Sequence, residues 1–338
     1  MDACHYHENI SYFYDQVGKH LASTWEPLYV ALLIIGIPLS LFISFANFLV
    51  VVAVHLNQRF HMPIYYLIAN LAAADCFAGI SYLFSLANTG PNTRLMSKAT
   101  WFLRQSLIDI SLSASVANLL AIAWERHFTI SGMQLQSQMS TRRVVVVIII
   151  IWIIAIFMGT LPIYWNCICD LKTCSNMAPM YSNNYILFWA ISNLLTMLFM
   201  VVLYMRIFLH VQGHVHRMSR HTVSSNIQQS IIIIVKTVTM VLGAFVLCWM
   251  PGMVILLIDV LCPKQICNLH YAEKICLMLA LSNSAINPII YSCRDRELLT
   301  TLGRLLCCRK HKPIDQIVGT RCTRQNTELL VLKNEFSA

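Results

Sequence analysis

Apolar residues run through this chain in seven long stretches, roughly 28–55, 63–87, 101–124, 144–164, 184–209, 231–261 and 273–292, with polar residues gathered between them. A helix needs about 20 mostly apolar residues to cross the hydrocarbon layer of a membrane, and each stretch is long enough. Val144–Ile154 lacks any polar face, which argues against a soluble helical enzyme with a large core. The pattern predicts an all-α membrane protein built as a seven-transmembrane helix bundle. Pro251 and Pro288 fall inside the sixth and seventh stretches. Each would leave a backbone carbonyl unpaired, which lipid tolerates only where a neighbouring helix or water supplies a partner. Those spans are expected to pack against others and to be places where the bundle bends.

The remaining organisation follows: an N-terminal cap over 1–27, the bundle over 28–293, a short amphipathic eighth helix over 294–306 and a tail over 307–338. No basic region followed by a short apolar stretch and cleavage site opens the chain, so no signal peptide is expected. Arg59, Arg126, Arg142, Arg143, Arg206, Arg217 and Arg220 fall on one side of the spans, with Arg294, Arg296, Arg304, Arg309 and Lys310. The other side mixes Lys19, Arg94, Lys98, Lys172, Lys264 and Lys274 with acids such as Asp170 and Glu273. By the positive-inside rule the arginine-rich side is cytoplasmic. That places the N-terminus outside and the C-terminus inside a multi-pass plasma-membrane protein.

Composition adds little room for anything else. The chain is 57% hydrophobic and 12% charged over 338 residues, which leaves no soluble domain of ordinary size. The formal charge of +9 matches attraction to the anionic inner leaflet rather than a nucleic-acid footprint. No spacing of Ser, His and Asp suggests a catalytic nucleophile, so an enzyme is not expected.

Six cysteines, Cys4, Cys167, Cys169, Cys174, Cys262 and Cys267, fall in the outward segments, where disulfides persist. Cys167 with Cys174 and Cys262 with Cys267 could each close a small loop, leaving Cys4 to tie the N-terminus to Cys169. A zinc site is the competing reading, although no His lies between Cys167 and Cys174. Asn9-Ile10-Ser11 is a glycosylation sequon in the same compartment. Cys307 and Cys308 follow the amphipathic stretch and suit palmitoylation, against two idle thiols.

Ionisable groups inside a bilayer are costly and mark function. Asp75 sits in the second span, with Ser115, Asn283, Ser284 and Asn287 expected around it. This oxygen-rich cluster suits a sodium ion; the alternative is an ion-free polar knot between helices. A transporter or channel would also carry such an acid, but no second carboxylate or repeated half accompanies it.

Glu125-Arg126-His127 ends the third span. With Asp75, the Trp249–Pro251 kink and Asn287-Pro288-x-x-Tyr291, it resembles the rhodopsin-like G-protein-coupled receptors. The resemblance implies that Arg126 pairs with its neighbouring acid Glu125 at rest and engages a heterotrimeric G protein when active. It also implies that Trp249 senses ligand, that Tyr291 swings inward, and that arrestin is a further partner. Members of that family often tie the top of the third span to an outer loop by a disulfide, but here the position is Trp101, as in the lysophospholipid branch. Ala87–Arg94, Trp101–Gln105, Trp165–Asp170, Arg59–His61 and Gly18–Leu21 are similar to lysophosphatidic acid receptors, and nearest to their type 1 group. The alternative is a receptor for another lysophospholipid such as sphingosine 1-phosphate.

The ligand so implied has a phosphate monoester head, which calls for cationic donors. Arg104, one turn inside the third span, is the strongest candidate, and the resemblance adds Lys19 and Tyr14 from the cap and Lys274 from the seventh span. Gln105 and Asp109 are four apart, hence on one helical face, and suit a glycerol hydroxyl. Receptors for sphingosine 1-phosphate carry Glu at the Gln105 position, opposite an ammonium. Trp189, Trp249, Gly252, Leu256 and Leu281 match the acyl-chain chamber, although bundle packing would use the same residue types. Ser106, Trp124 and Met250 depart from the relatives, as do the third inner loop at 212–230 and the C-terminal residues. These departures bear on G-protein preference more than on ligand class.

Overall fold

The computed structural model describes residues 9–19, 21–131, 140–218, 225–262 and 270–306. Seven of its helices are long and apolar enough to cross a membrane. They are α2 (Pro27–Leu56), α3 (Pro63–Ala87), α4 (Lys98–Ser131), α5 (Thr141–Tyr164), α6 (Asn183–Met218), α7 (Ser225–Leu261) and α8 (His270–Arg294), preceded by a short α1 (Ile10–Gln16) and followed by α9 (Arg296–Leu306). Neighbours in sequence pack side by side along α2–α5 and α6–α8, α6 also packs on α4, and α8 closes on α2 and α3. Val145, Ile149, Ile153 and Phe157 point away from the bundle, as expected for a helix against lipid. Where helices approach most closely they use glycine: a Cβ on Gly79 would fall 2.8 Å from the Ser40 carbonyl of α2, and one on Gly159 2.8 Å from the Ile110 backbone of α4.

The helices overrun the apolar stretches, most clearly α4, which begins at Lys98 and ends at Ser131. Charges stop a hydropathy run but not a helix, because the backbone ladder continues into water. Prolines also sit inside α2 (Pro38) and α5 (Pro162), besides Pro251 in α7 and Pro288 in α8. The short amphipathic helix α9 starts at Arg296 rather than 294, because Asp295 interrupts the helix and caps it. Its Oδ1 accepts from the Glu297 and Leu298 amides at 2.9 and 3.0 Å. Leu298 then buries against Ala53, Val54 and Phe60.

The N-terminal cap contains α1, which apolar patterning had not announced. Asn9 caps its start, accepting from the Ser11 amide at 2.9 Å. At its end Gly18 takes a left-handed φ of 72°. The Gly18 amide donates to the Asp15 carbonyl at 3.0 Å, and the Lys19 amide to the Tyr14 carbonyl at 2.9 Å. This paired closure is a Schellman motif, which glycine adopts at little steric cost. It turns the chain so that Lys19 leaves the helix directly toward the bundle.

Candidate functional site

A cavity of about 1340 Å³, counting its open mouth, lies between the helices at the end covered by α1. Arg104, Lys19, Lys274, Tyr14, Gln105, Asp109, Trp189, Trp249, Gly252 and Leu256 all line it. Leu281 does not. It packs with Tyr29, Leu32 and Tyr82 on the α2–α3 side, while Leu277 and Ala280 of the same helix face the cavity. One residue further along a helix is a rotation of about 100°, and that step removes Leu281 from the chamber.

The cations collect at the mouth. Lys19 Nζ lies 2.7 Å from Glu273 Oε2 and also donates to the Met177 carbonyl. Lys274 Nζ lies 3.0 Å from Glu273 Oε1, so two lysines share one carboxylate. Arg104 is 8% exposed. Its Nη1 donates to the Asn88 carbonyl at 2.8 Å, and its Nε has no partner among the described residues. Three cations and one acid leave two net positive charges around this rim. Tyr14 reports the resulting field: burial raises its pKa, but Arg104, Lys19, the bond from Trp101 and Lys274 together hold it below the ordinary phenol value.

Trp101 ties the top of α4 to the cap and the connection before α6. Its Nε1 donates to Tyr14 Oη at 3.0 Å, and its ring meets Tyr181 edge-on at 5.4 Å. Below it, the Tyr181 hydroxyl donates to Asp109 Oδ2 at 2.9 Å. Burial, the Asp109 charge, Tyr185 and the bond to Asp109 push the Tyr181 phenol well above its ordinary pKa, with Arg104 opposing, so it remains a donor. The floor is apolar. A Cβ on Gly252 would meet only Cys276 at 3.8 Å, so the glycine leaves room in the chamber. Of the sequence departures, Ser106 is buried where α4 meets Gly159. Trp124 meets Phe128 and Phe199 at tilted ring angles, and Met250 is half-exposed on the outside. None of the three lines the cavity.

Deeper in the bundle, Asp75 accepts from Ser115 and Ser284 through Oδ1 and from Asn287 through Oδ2, each at 2.8 Å. Asn283 is buried but makes no bond to Asp75 among the described residues, and the side-chain oxygens of Asn283 and Asn287 have no donor. At the far end of α4, Arg126 Nε lies 3.8 Å from Glu125 Oε2, and Thr129 donates to Glu125 Oε1 at 2.9 Å. Tyr291 is half-buried, and its inaccessible hydroxyl has no partner among the described residues.

Cys167 and Cys174 form a disulfide, which removes the zinc alternative at that loop. Cys169 and Cys262 are also disulfide-bonded, while Cys4 and Cys267 lie outside the described residues. So do Cys307 and Cys308. Sequence reasoning missed Glu273 and Tyr181 as site residues. The first was legible only as one more charge near a span end, and the second lies in a connection whose path no periodicity gives.

The family model for the 7 transmembrane receptor (rhodopsin family) matches residues 46–291. Human lysophosphatidic acid receptor 1 is 54% identical over 309 residues, covering 91% of this chain and 84% of the human protein. Xenopus laevis lysophosphatidic acid receptor 1-A is 53% identical over 314 residues, covering 92% and 85%. Mouse lysophosphatidic acid receptor 2 is 47% identical over 310 residues, covering 91% and 89%.

Proposed function

The chain belongs to the rhodopsin family of seven-transmembrane receptors, and on that premise we propose that it is a receptor for lysophosphatidic acid that activates heterotrimeric G proteins. The observation that carries this reading is the rim: Arg104, Lys19 and Lys274, with Glu273 between the lysines, above an apolar chamber. A phosphate monoester brings about −1.5 to −2 charges, close to the two positive charges the rim leaves over. Gln105 lies one residue and Asp109 five residues, about 7.5 Å, further along α4 than Arg104, at the depth of a glycerol backbone. Trp189, Trp249, Gly252 and Leu256 then receive the acyl chain.

In this reading the cavity faces the cell exterior, and Arg126 lies roughly 33 Å away across the membrane, at about 1.5 Å per residue. The Glu125–Arg126 pair holds the receptor at rest, and its release, with movement of α7 and α8 about Pro251 and Pro288, admits the G protein. Arrestin is expected to share that face. Asn9 carries a glycan, Cys4 closes on Cys169, Cys262 on Cys267, and Cys307 and Cys308 anchor the end of α9 in the inner leaflet. The Asp75 cluster fits a sodium ion, since the unpaired oxygens of Asn283 and Asn287 can serve a cation and the serine hydroxyls can rotate to do the same.

The test is nucleotide exchange on an added G protein, using purified full-length chain with lysophosphatidic acid and sphingosine 1-phosphate. Lysophosphatidic acid should stimulate exchange and sphingosine 1-phosphate should not, because Gln105 gives an ammonium no counter-charge in a dry site. Substrate flux across liposomes without any exchange would replace the reading with transport.

A further inference from the structure

Asp259 is buried near the outer end of α7, 3% exposed, where the helix ends at Leu261. It does not line the cavity. No cation pairs with it among the described residues, and its Oδ1 has no partner there. A buried acid without a counter-charge is costly, and a helix C-terminus adds its own negative potential. An apolar residue would fill the same place at less cost, so the carboxylate calls for a role. Its other oxygen supplies one. Oδ2 accepts from the Ser175 hydroxyl at 2.5 Å, a charge-assisted bond. The same hydroxyl oxygen accepts from the Met177 and Ala178 amides at 3.1 and 3.0 Å. Across the turn, the Ser175 amide donates to the Tyr181 carbonyl at 3.0 Å, and the Tyr181 amide to the Ala178 carbonyl at 2.8 Å. The turn so closed carries the Met177 carbonyl to the rim, where it accepts from Lys19 Nζ. An ammonium has three donors. Glu273 takes one and Met177 another, which leaves the third for the cavity that Lys19 lines.

We infer that Asp259 is a positioning residue for phosphate recognition: through the Ser175 turn it fixes the Met177 carbonyl, which aims the third donor of Lys19 at the ligand's phosphate. This rests on the phosphate-lipid reading above. An ionised carboxylate only accepts, so it commits the Ser175 proton to one direction and leaves the hydroxyl's lone pairs to the two amides. Without it the hydroxyl turns to other acceptors, the turn loosens, and Lys19 keeps Glu273 as its only guide. Lysine depends on such guides, because its ammonium is a compact charge on a flexible four-carbon stem. The same bonds tie the outer end of α7, the helix that contains Pro251, to the phosphate rim.

The experiment is competition binding to the full chain in lipid nanodiscs, with monooleoylglycerol phosphate and monooleoylglycerol. The proteins compared are the unaltered chain, Asp259→Leu, Asp259→Asn, Lys19→Ala, and Asp259→Leu combined with Lys19→Ala. Leucine keeps the branched shape of aspartate without its acceptors. A misplaced charge-assisted bond corresponds to about a tenfold loss. Asp259→Leu should therefore weaken monooleoylglycerol phosphate by about tenfold and leave monooleoylglycerol within about threefold. Asp259→Asn keeps a weaker acceptor for Ser175 and should fall between Asp259→Leu and the unaltered chain. In the Lys19→Ala background, Asp259→Leu should cost the phosphate lipid no more than about twofold further, because the residue it acts through is gone. Equal losses for both lipids would make Asp259 a packing residue and overturn the inference. An undiminished loss in the Lys19→Ala background would also overturn it, as would no loss at all. Should Asp259→Leu bind neither lipid, Asp259→Asn decides: it must weaken the phosphate lipid alone, or the inference fails. Equal affinity of the unaltered chain for the two lipids would instead overturn the phosphate reading, and this inference with it.

Discussion

Lys19 and Glu273, 254 residues apart in sequence, meet at 2.7 Å where the N-terminal cap closes over the bundle. The pair is mostly buried, at 10% and 20% exposure, and Glu273 holds Lys274 through its other oxygen. The carboxylate therefore aligns two cations toward a shared anion and reduces their mutual repulsion. Lys19→Ala should weaken lysophosphatidic acid binding by about 2 kcal/mol or more, the usual result of stranding a partner in a desolvated site. Adding Glu273→Gln should recover part of that loss, because the acid left beside the phosphate is gone. Radioligand competition on the single and double variants checks this; a double variant weaker than Lys19→Ala would show that Glu273 acts otherwise.

Arg104→Ala removes the cation placed nearly two turns inside α4. The expected cost is about 2–5 kcal/mol, a loss of roughly 30- to 5,000-fold in agonist affinity at about 1.4 kcal/mol per tenfold. Saturation binding measures it. The spans should remain inserted, since among the described residues Arg104 is bonded to the Asn88 carbonyl and a methionine sulfur and to no carboxylate.

Gln105→Glu should exchange one ligand for another. The new carboxylate repels the phosphate of lysophosphatidic acid and offers a partner to the ammonium of sphingosine 1-phosphate, so response to the first falls as response to the second emerges. Dose–response curves for both lipids on both proteins decide the matter, and two unmoved curves would remove Gln105 as the selector.

Much of this was legible in advance because lipid imposes a simple rule on sequence. The seven apolar stretches locate α2–α8 to within about a turn or two, since an uninterrupted apolar surface has few other uses. Charged residues within those stretches, Arg104, Asp109 and Asp75, and Arg126 just beyond the third, could be singled out for the same reason. The rule fails where water is near. Seven residues of α1 are too few for periodicity, and its stop depends on the left-handed Gly18. Glu273 reads as one more charge at a span end, and its partner Lys19 emerges only when the cap folds over. Leu281 was assigned to the chamber by similarity of position, yet it packs toward α2. Apolar composition says that such a residue is buried, but not against what.

Arg126→Ala should abolish G-protein nucleotide exchange while leaving ligand binding intact, because Arg126 and the cavity occupy opposite ends of α4. Exchange assays paired with binding on the same preparation separate the two. Sodium should lower agonist affinity in the unaltered chain and have no such effect in Asp75→Ala; agonist binding indifferent to sodium throughout would leave Asp75 as an ion-free knot.

The central claim is that the rim of Arg104, Lys19 and Lys274 recognises a phosphate monoester. The most direct measurement compares binding of monooleoylglycerol phosphate with monooleoylglycerol, which differ only by that group, on purified full-length chain. The phosphate should improve affinity by roughly a thousandfold, about 4 kcal/mol, and the gap should narrow sharply in Arg104→Ala. Equal affinity for the two lipids in the unaltered chain would contradict the account.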